Sequence, residues 1–335
     1  MGGKQVVFVF AALVILGLAA LVFRFISAEP DEILLTGVAP LTEETLDKVV
    51  IRNNEFETVI EKVDGDWQVG PYPVQRRRFE DMWTTTQLFD EAELIAQNPE
   101  NHPLMGVSPE NGTLVEFWNQ DELLEEFFVG DQQFAPIGER LITPWQNFVR
   151  LCYLRNPEED DVYGIFCDFP DRFLPDPKFW KHPLITEIPR DEVESISFRY
   201  PEEDFSLRIE NSVWVVSQGG AEVGQADPEK MLELLQAVEY LVTSDFPTDD
   251  ELNRLNFDLA DITMFIQVRT GAISRSARLL LLERDEGGYF VKRQGQDYAF
   301  IIDDQVAPFI LKRIADLIPP PPETNTEAST STSTP

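Results

Sequence analysis

The sequence predicts an α+β protein: an N-terminal transmembrane helix, then two tandem, structurally similar units of mostly antiparallel sheet packed on an amphipathic helix. Three observations predict it. Residues 6–23 are uninterrupted apolar or small side chains. Two later stretches, 49–167 and 193–303, run through one order of patterns twice. Each has a strand carrying a tryptophan (Asp66-Trp67-Gln68-Val69 and Ser212-Val213-Trp214-Val215), then an amphipathic helix, a turn and several short strands. The third observation is the turn, with Met105-Gly106-Val107-Ser108 matching Leu255-Asn256-Phe257-Asp258 at an offset of 150 positions. Gly and Asn enter left-handed backbone most readily, and Ser and Asp cap local N–H groups. A period this long marks a duplicated domain, since solenoid units are only about 20–45 residues.

The apolar run reads as a bilayer-spanning anchor over residues 6–26, because about 20 helical residues match a hydrocarbon core of roughly 30 Å. Lys4 and the amino terminus mark its cytoplasmic side. A cleaved signal peptide is the rival, but its apolar region runs only about 7–15 residues. The body is therefore expected outside the cytoplasm. The expected division is an anchor over 1–27, a tether over 28–45, a first α+β unit over 46–172, a connector over 173–192, a second unit over 193–318 and a disordered tail over 319–335.

In the first unit, alternation predicts strands over 48–52 and 57–63 and another near Trp67. Phe79, Met82, Trp83, Thr86 and Phe89 give the stripe of a helix over 74–89. Strands follow over 113–118, 123–129, 148–155 and 162–168. In the second unit Asp227 is an N-cap and Pro228 suits the first helical position. Met231, Leu234, Leu235, Val238, Leu241 and Val242 form the buried stripe. Strands over 262–269, 277–284, 289–293 and 298–302 come next, and a helix over 304–318 closes the unit.

With 27 basic and 60 acidic residues the formal charge is −33, which excludes nucleic acid as a partner because phosphate binding needs a cationic surface. Cys152 and Cys167 are the only cysteines, on consecutive strands. Simple hairpin register places Cys167 nearer Arg150 than Cys152, so two buried thiols are favoured over a bridge. His102 and His182, each followed by Pro-Leu, read as turn residues. The acidic runs 158–161 and 249–251 lack the alternating ligand spacing of a calcium loop and read as solvated turns. No metal-ligand spacing, phosphate-binding glycine loop or nucleophile elbow occurs, so no catalytic residue, metal ligand or cofactor is assigned. Arg76, Arg77 and Arg78 are the only basic run, in the first turn of a helix where cations oppose the macrodipole. They read either as paired with neighbouring acids or as a docking patch for an acidic partner segment.

Taken together, the apolar anchor, the tryptophan strand, Met105-Gly106-Val107-Ser108-Pro109, Phe128-Val129-Gly130 and the strands around Tyr153 and Tyr163 resemble a bacterial family of unknown function. That family comprises membrane-anchored proteins of gliding-motility-type ABC transporter operons. Trp214, Asp227-Pro228 and Leu255-Asn256-Phe257-Asp258 repeat the scheme. Asn256 departs from it where the family turn has glycine, and 134–146 is an insertion in the first unit. The resemblance implies a single-pass, extracytoplasmic, non-enzymatic accessory or scaffold protein of an ABC transport system, with a permease or envelope protein as partner. It carries over no catalytic residue. The alternatives are a solute- or envelope-polymer-binding module and, behind it, an extracytoplasmic hydrolase.

Overall fold

A computed structural model of the chain describes residues 43–136, 148–166 and 170–318. The expected span at 6–26, the tail at 319–335 and most of the insertion at 134–146 lie outside them. Among the described residues no helix is long and apolar enough to cross a membrane. The protein is mostly antiparallel sheet with few helices, and the chain divides into two compact units between His182 and Pro183.

In the N-terminal unit, β1 (Lys48–Arg52), β2 (Glu57–Val63), β3 (Asp66–Val69) and β4 (Tyr72–Pro73) form a meander. Helix α1 (Arg76–Thr86) follows, then β5 (Glu93–Ala96), β6 (Thr113–Asn119), β7 (Glu122–Pro136), β8 (Phe148–Arg155), β9 (Val162–Phe166) and α2 (Pro177–Trp180). β6 returns to pair with β1, giving the order β4-β3-β2-β1-β6-β7-β8-β9-β5. Alternation decides the faces: Val49, Ile51, Ile60, Val115, Phe117 and Phe127 share one core with Phe79 and Met82 of α1. Trp67 packs on Phe79 with ring centroids 4.7 Å apart, and its Nε1–H donates to Glu43 Oε1 at 2.9 Å. The Trp67 carbonyl accepts the N–H of Val74, and the N–H of Gln75 donates to the carbonyl of Trp180 at 2.6 Å. The first bond ties the meander to the start of α1, and the second ties that start to the end of α2.

The C-terminal unit begins with β10 (Leu184–Glu187). It continues with β11 (Val193–Arg199), β12 (Asp204–Glu210), β13 (Val213–Gln218), β14 (Ala221–Gln225) and α3 (Pro228–Glu239). Then come β15 (Tyr240–Val242), α4 (Asp249–Leu252), β16 (Ile262–Thr270), β17 (Ile273–Glu283), β18 (Tyr289–Arg293), β19 (Phe300–Ile302), α5 (Ala307–Ile310) and α6 (Ile314–Leu317). The sheet order is β14-β13-β12-β11-β16-β17-β18-β19, while β10 pairs separately with β15. The Trp214 carbonyl accepts the N–H of Ala226, and the Asp227 N–H donates to the carbonyl of Leu317, the last residue of α6. Asp227 caps α3 through its carboxylate, which accepts from the N–H groups of Glu229 and Lys230.

Several expectations need correction. Leu241 and Val242 do not extend the helical stripe: α3 stops at Glu239, Tyr240 turns to φ −144°, and β15 pairs with β10. The closing helix over 304–318 is two short helices, because Leu311–Arg313 is non-helical and held by tertiary bonds. The Tyr200 hydroxyl donates to the Lys312 carbonyl at 2.7 Å, while buried Lys312 reaches Glu233 at 3.2 Å. The turn match fails in detail. Gly106 is left-handed at φ +66°, whereas Asn256 sits at φ −117° and caps Asp258 N–H with its side chain. Ser108 donates its hydroxyl to Asn111 Oδ1 and does not cap a backbone N–H. Strands β4, β5, β10, β12, β14 and β15 have no counterpart in the sequence-based expectation.

Candidate binding face

Strand alternation gives the C-terminal sheet two unlike faces. Ile196, Phe198, Met264, Ile266, Leu279 and Leu281 point into the buried side. The intervening residues point to the other side, where register fixes which of them are neighbours. One cross-strand row reads Ser217, Ser206, Ser197, Phe265, Arg278 across β13, β12, β11, β16 and β17. The row beside it reads Val215, Arg208, Ser195, Gln267, Ser276. A third reads Asp204, Arg199, Thr263, Leu280, Lys292. The three rows carry four cations (Arg199, Arg208, Arg278, Lys292) and one carboxylate (Asp204). Within these five strands and Lys292 the rows are cationic in a chain of net charge −33, while Glu222 of β14 lies opposite Ser217 at the end of the first row.

A cavity of about 440 Å³ lies over the first row, lined by Ser197, Ser206, Ser217, Thr263, Phe265 and Arg278 among others. A second, of about 680 Å³, is lined by Ser195, Arg208, Gln267 and Arg269 together with the carboxylates Asp191, Glu192 and Glu194. Arg199 approaches Asp204 at only 3.8 Å, and Arg269 at the margin is paired with Glu194 at 2.6 Å. The Arg278 guanidinium lies 5.6 Å from the Phe265 ring centroid. The hydroxyls of Ser197, Ser206 and Ser217 and the guanidinium of Arg208 have no hydrogen-bond or ion-pair partner among the described residues. Such a face offers donors, acceptors, positive charge and one aromatic surface to a ligand that brings its own polar groups. Sequence reading passed over it, because each strand shows only an ordinary polar alternation. The available signal was that Ser, Thr, Gln and Arg, with few acids, fill the outward positions of β11, β16 and β17.

The arginine run is placed differently. Arg76 makes a two-pronged bond with Glu43 (2.7 and 2.8 Å) and a third contact to Glu80. That bond holds the Glu43 carboxyl below its ordinary range. Arg78 donates to the Phe179 carbonyl and stacks on that residue's ring at 4.1 Å. Arg77 is exposed and has no such partner among the described residues. The three guanidiniums thus serve different contacts, and Arg77 is the one left open to solvent.

The histidines lie at loop contacts, and of the two acidic runs read as turns 249–251 is instead helical. His102 Nε2 lies 2.8 Å from the Asp160 carbonyl, and the His182 N–H donates to Pro73. Asp249–Glu251 form the first turn of α4, where Thr248 and Glu251 complete a capping box. Arg155 is 5 % exposed and donates to the carbonyls of Val107, Asn156, Pro157 and Glu159. Burial pushes its guanidinium below the ordinary value. Glu125 and Glu126 are pushed up, first by burial and then by neighbouring carboxylates. Among the described residues no three His, Cys, Asp or Glu side chains could together hold a metal ion.

Cys152 is disulfide-bonded, which overturns the expectation of buried free thiols. Cys167, the only other cysteine of the chain, lies outside the described residues. The anticipated register is nonetheless the observed one, with Cys152 opposite Ile165. Direct opposition is not required for two strand residues to share a face, because the pleat returns every second side chain to it. Compared with known proteins, the chain matches no family model, no curated protein and no solved structure.

Proposed function

We propose that this protein is a membrane-anchored, extracytoplasmic, non-enzymatic accessory or scaffold protein, built from a duplicated module and working beside an ABC transport system. The observation that carries the duplication is a correspondence of connections. Strands β1–β4 and β6–β9 occupy one sheet in the order that β11–β14 and β16–β19 occupy the other. In both units the tryptophan carbonyl accepts an N–H from the residue two before the helix. In both, the residue at the helix N-cap donates its N–H to the last residue of a four-residue closing helix, Trp180 or Leu317. Chains that merely share a fold class have no reason to repeat such bonds.

The apolar run at 6–26 supports the anchor, and the disulfide at Cys152 suits an oxidising exterior. The transporter partner rests on the family resemblance of the sequence. Protease treatment of intact cells tests the placement: the body should be digested from outside, and a body protected until lysis would end the reading. Crosslinking in native membranes, followed by mass spectrometry, should recover a permease or an envelope protein. The open face of the C-terminal sheet favours a second reading, a module that binds an envelope polymer.

A further inference from the structure

We propose that the open face of the C-terminal sheet binds a carboxylated polysaccharide, a polymer of uronic-acid type. The inference rests on the reading of the body as a binding module at the cell exterior, and it assigns that module a site and a ligand class. Three features of the face select the ligand. Free hydroxyls of Ser217, Ser206 and Ser197 stand on adjacent strands in one row, giving donors and acceptors at regular spacing to a ligand rich in hydroxyls. Four inter-strand steps of roughly 4.8 Å make the row about 19 Å long, which suits a chain of several units better than a small solute. Next, the Phe265 ring lies half-buried mid-row and offers an apolar surface to the C–H face of a sugar ring.

The cations then choose among glycans. Arg278 at the end of that row and Arg208 in the next present planar forks that hydrogen-bond carboxylates in pairs. Neither makes an ion pair among the described residues, although Asp191, Glu192 and Glu194 line the same cavity as Arg208; Arg278, whose cavity has Asp204 as its one carboxylate, is the cation more open to a ligand. A neutral glycan would leave this charge unused. An acidic polypeptide is the competing occupant. It would gain most from main-chain pairing at a sheet edge, but the backbone groups of β12, β11, β16 and β17 are already paired on both sides. The face therefore reads side-chain chemistry only, which favours a ligand carrying its own hydroxyls.

The full chain, purified in detergent, is passed over immobilised polygalacturonate, dextran and polyglutamate. Retention on polygalacturonate, weak retention on both others, and release by salt are expected. The double variant Arg208→Ala/Arg278→Ala should lose at least tenfold in affinity, and Phe265→Ala several-fold, with thermal midpoints close to the parent's. Arg278→Lys, which keeps the charge but not the fork, should fall between parent and double variant. Equal retention on polyglutamate would overturn the proposal in favour of an acidic protein partner. Absence of binding, or binding untouched by these substitutions, would overturn it outright. Protease placement of the body is read separately on cells, so a misplaced body and a wrong ligand give different results.

Discussion

Arg155 shows how one charged side chain organises a unit. It is a buried cation whose charge meets four backbone carbonyls rather than a carboxylate, and its guanidinium lies 4.9 Å from the Phe128 ring centroid. The Val107 loop and the β8–β9 turn therefore depend on it. Arg155→Ala should cost about 3 kcal/mol in urea denaturation, since the carbonyls lose their partner without regaining water. Arg155→Lys should recover part of this, because a single ammonium cannot span the same acceptors. Glu126 illustrates the opposite sign. It sits directly across from Glu116, and burial with that neighbouring charge raises its carboxyl above the ordinary 4.5. A carboxyl raised on folding favours the fold while protonated, below its unfolded value, and that benefit is lost as pH rises through the folded value. Glu126→Gln should therefore stabilise the protein by about 0.5 kcal/mol at neutral pH, with the gain vanishing below about pH 4.5. Thermal melts across that range decide it.

At the scale of elements, the two long helices start by different means. α3 has Asp227 and Pro228, a local signal complete in the sequence and observed as written. Asp227→Ala should cost about 1 kcal/mol, visible as faster amide exchange in the first turn of α3. α1 has no side-chain cap at Gln75 and carries three arginines where the macrodipole resists them. Distant groups compensate: Glu43 for Arg76, and the Phe179 carbonyl and ring for Arg78. The same contrast explains which element boundaries were legible. Strands β1, β2, β8 and β18 fall where alternation placed them, because alternation is a local property. Tyr240–Val242 continues an apolar stripe, so pattern alone extends the helix; the edge offered by β10 turns it into a strand instead. The break at Leu311–Arg313 is equally silent in sequence, since it depends on Tyr200 and Glu233, each far away along the chain.

For the molecule as a whole, charge and crosslinking set the terms. A net charge of −33 makes the folded chain repel itself, and the repulsion is screened by salt. Raising ionic strength from about 0.02 to 0.5 M at neutral pH should lift the thermal midpoint. A flat response would mean the ion pairs already balance the field. The disulfide at Cys152 constrains the unfolded chain, and for a loop of about 15 residues that constraint is worth roughly 3 kcal/mol. Cys152→Ser should lose about that much, and thiol labelling of the untreated protein should find Cys152 blocked.

Acidity, the apolar leading run, the order of most strands and the capped start of α3 could all be read along the chain. Each depends on composition or on neighbours a few residues apart. The cationic rows of the C-terminal sheet could not. Ser217, Ser206, Ser197, Phe265 and Arg278 are scattered over 82 residues, from 197 to 278, and become one row only through the register of five strands. The sharing of Arg76 and Arg78 between separate partners, the closing of Cys152 and the division of the last helix have the same origin. They arise from contacts between segments distant in sequence, whose free energy exists only once the sheets have formed.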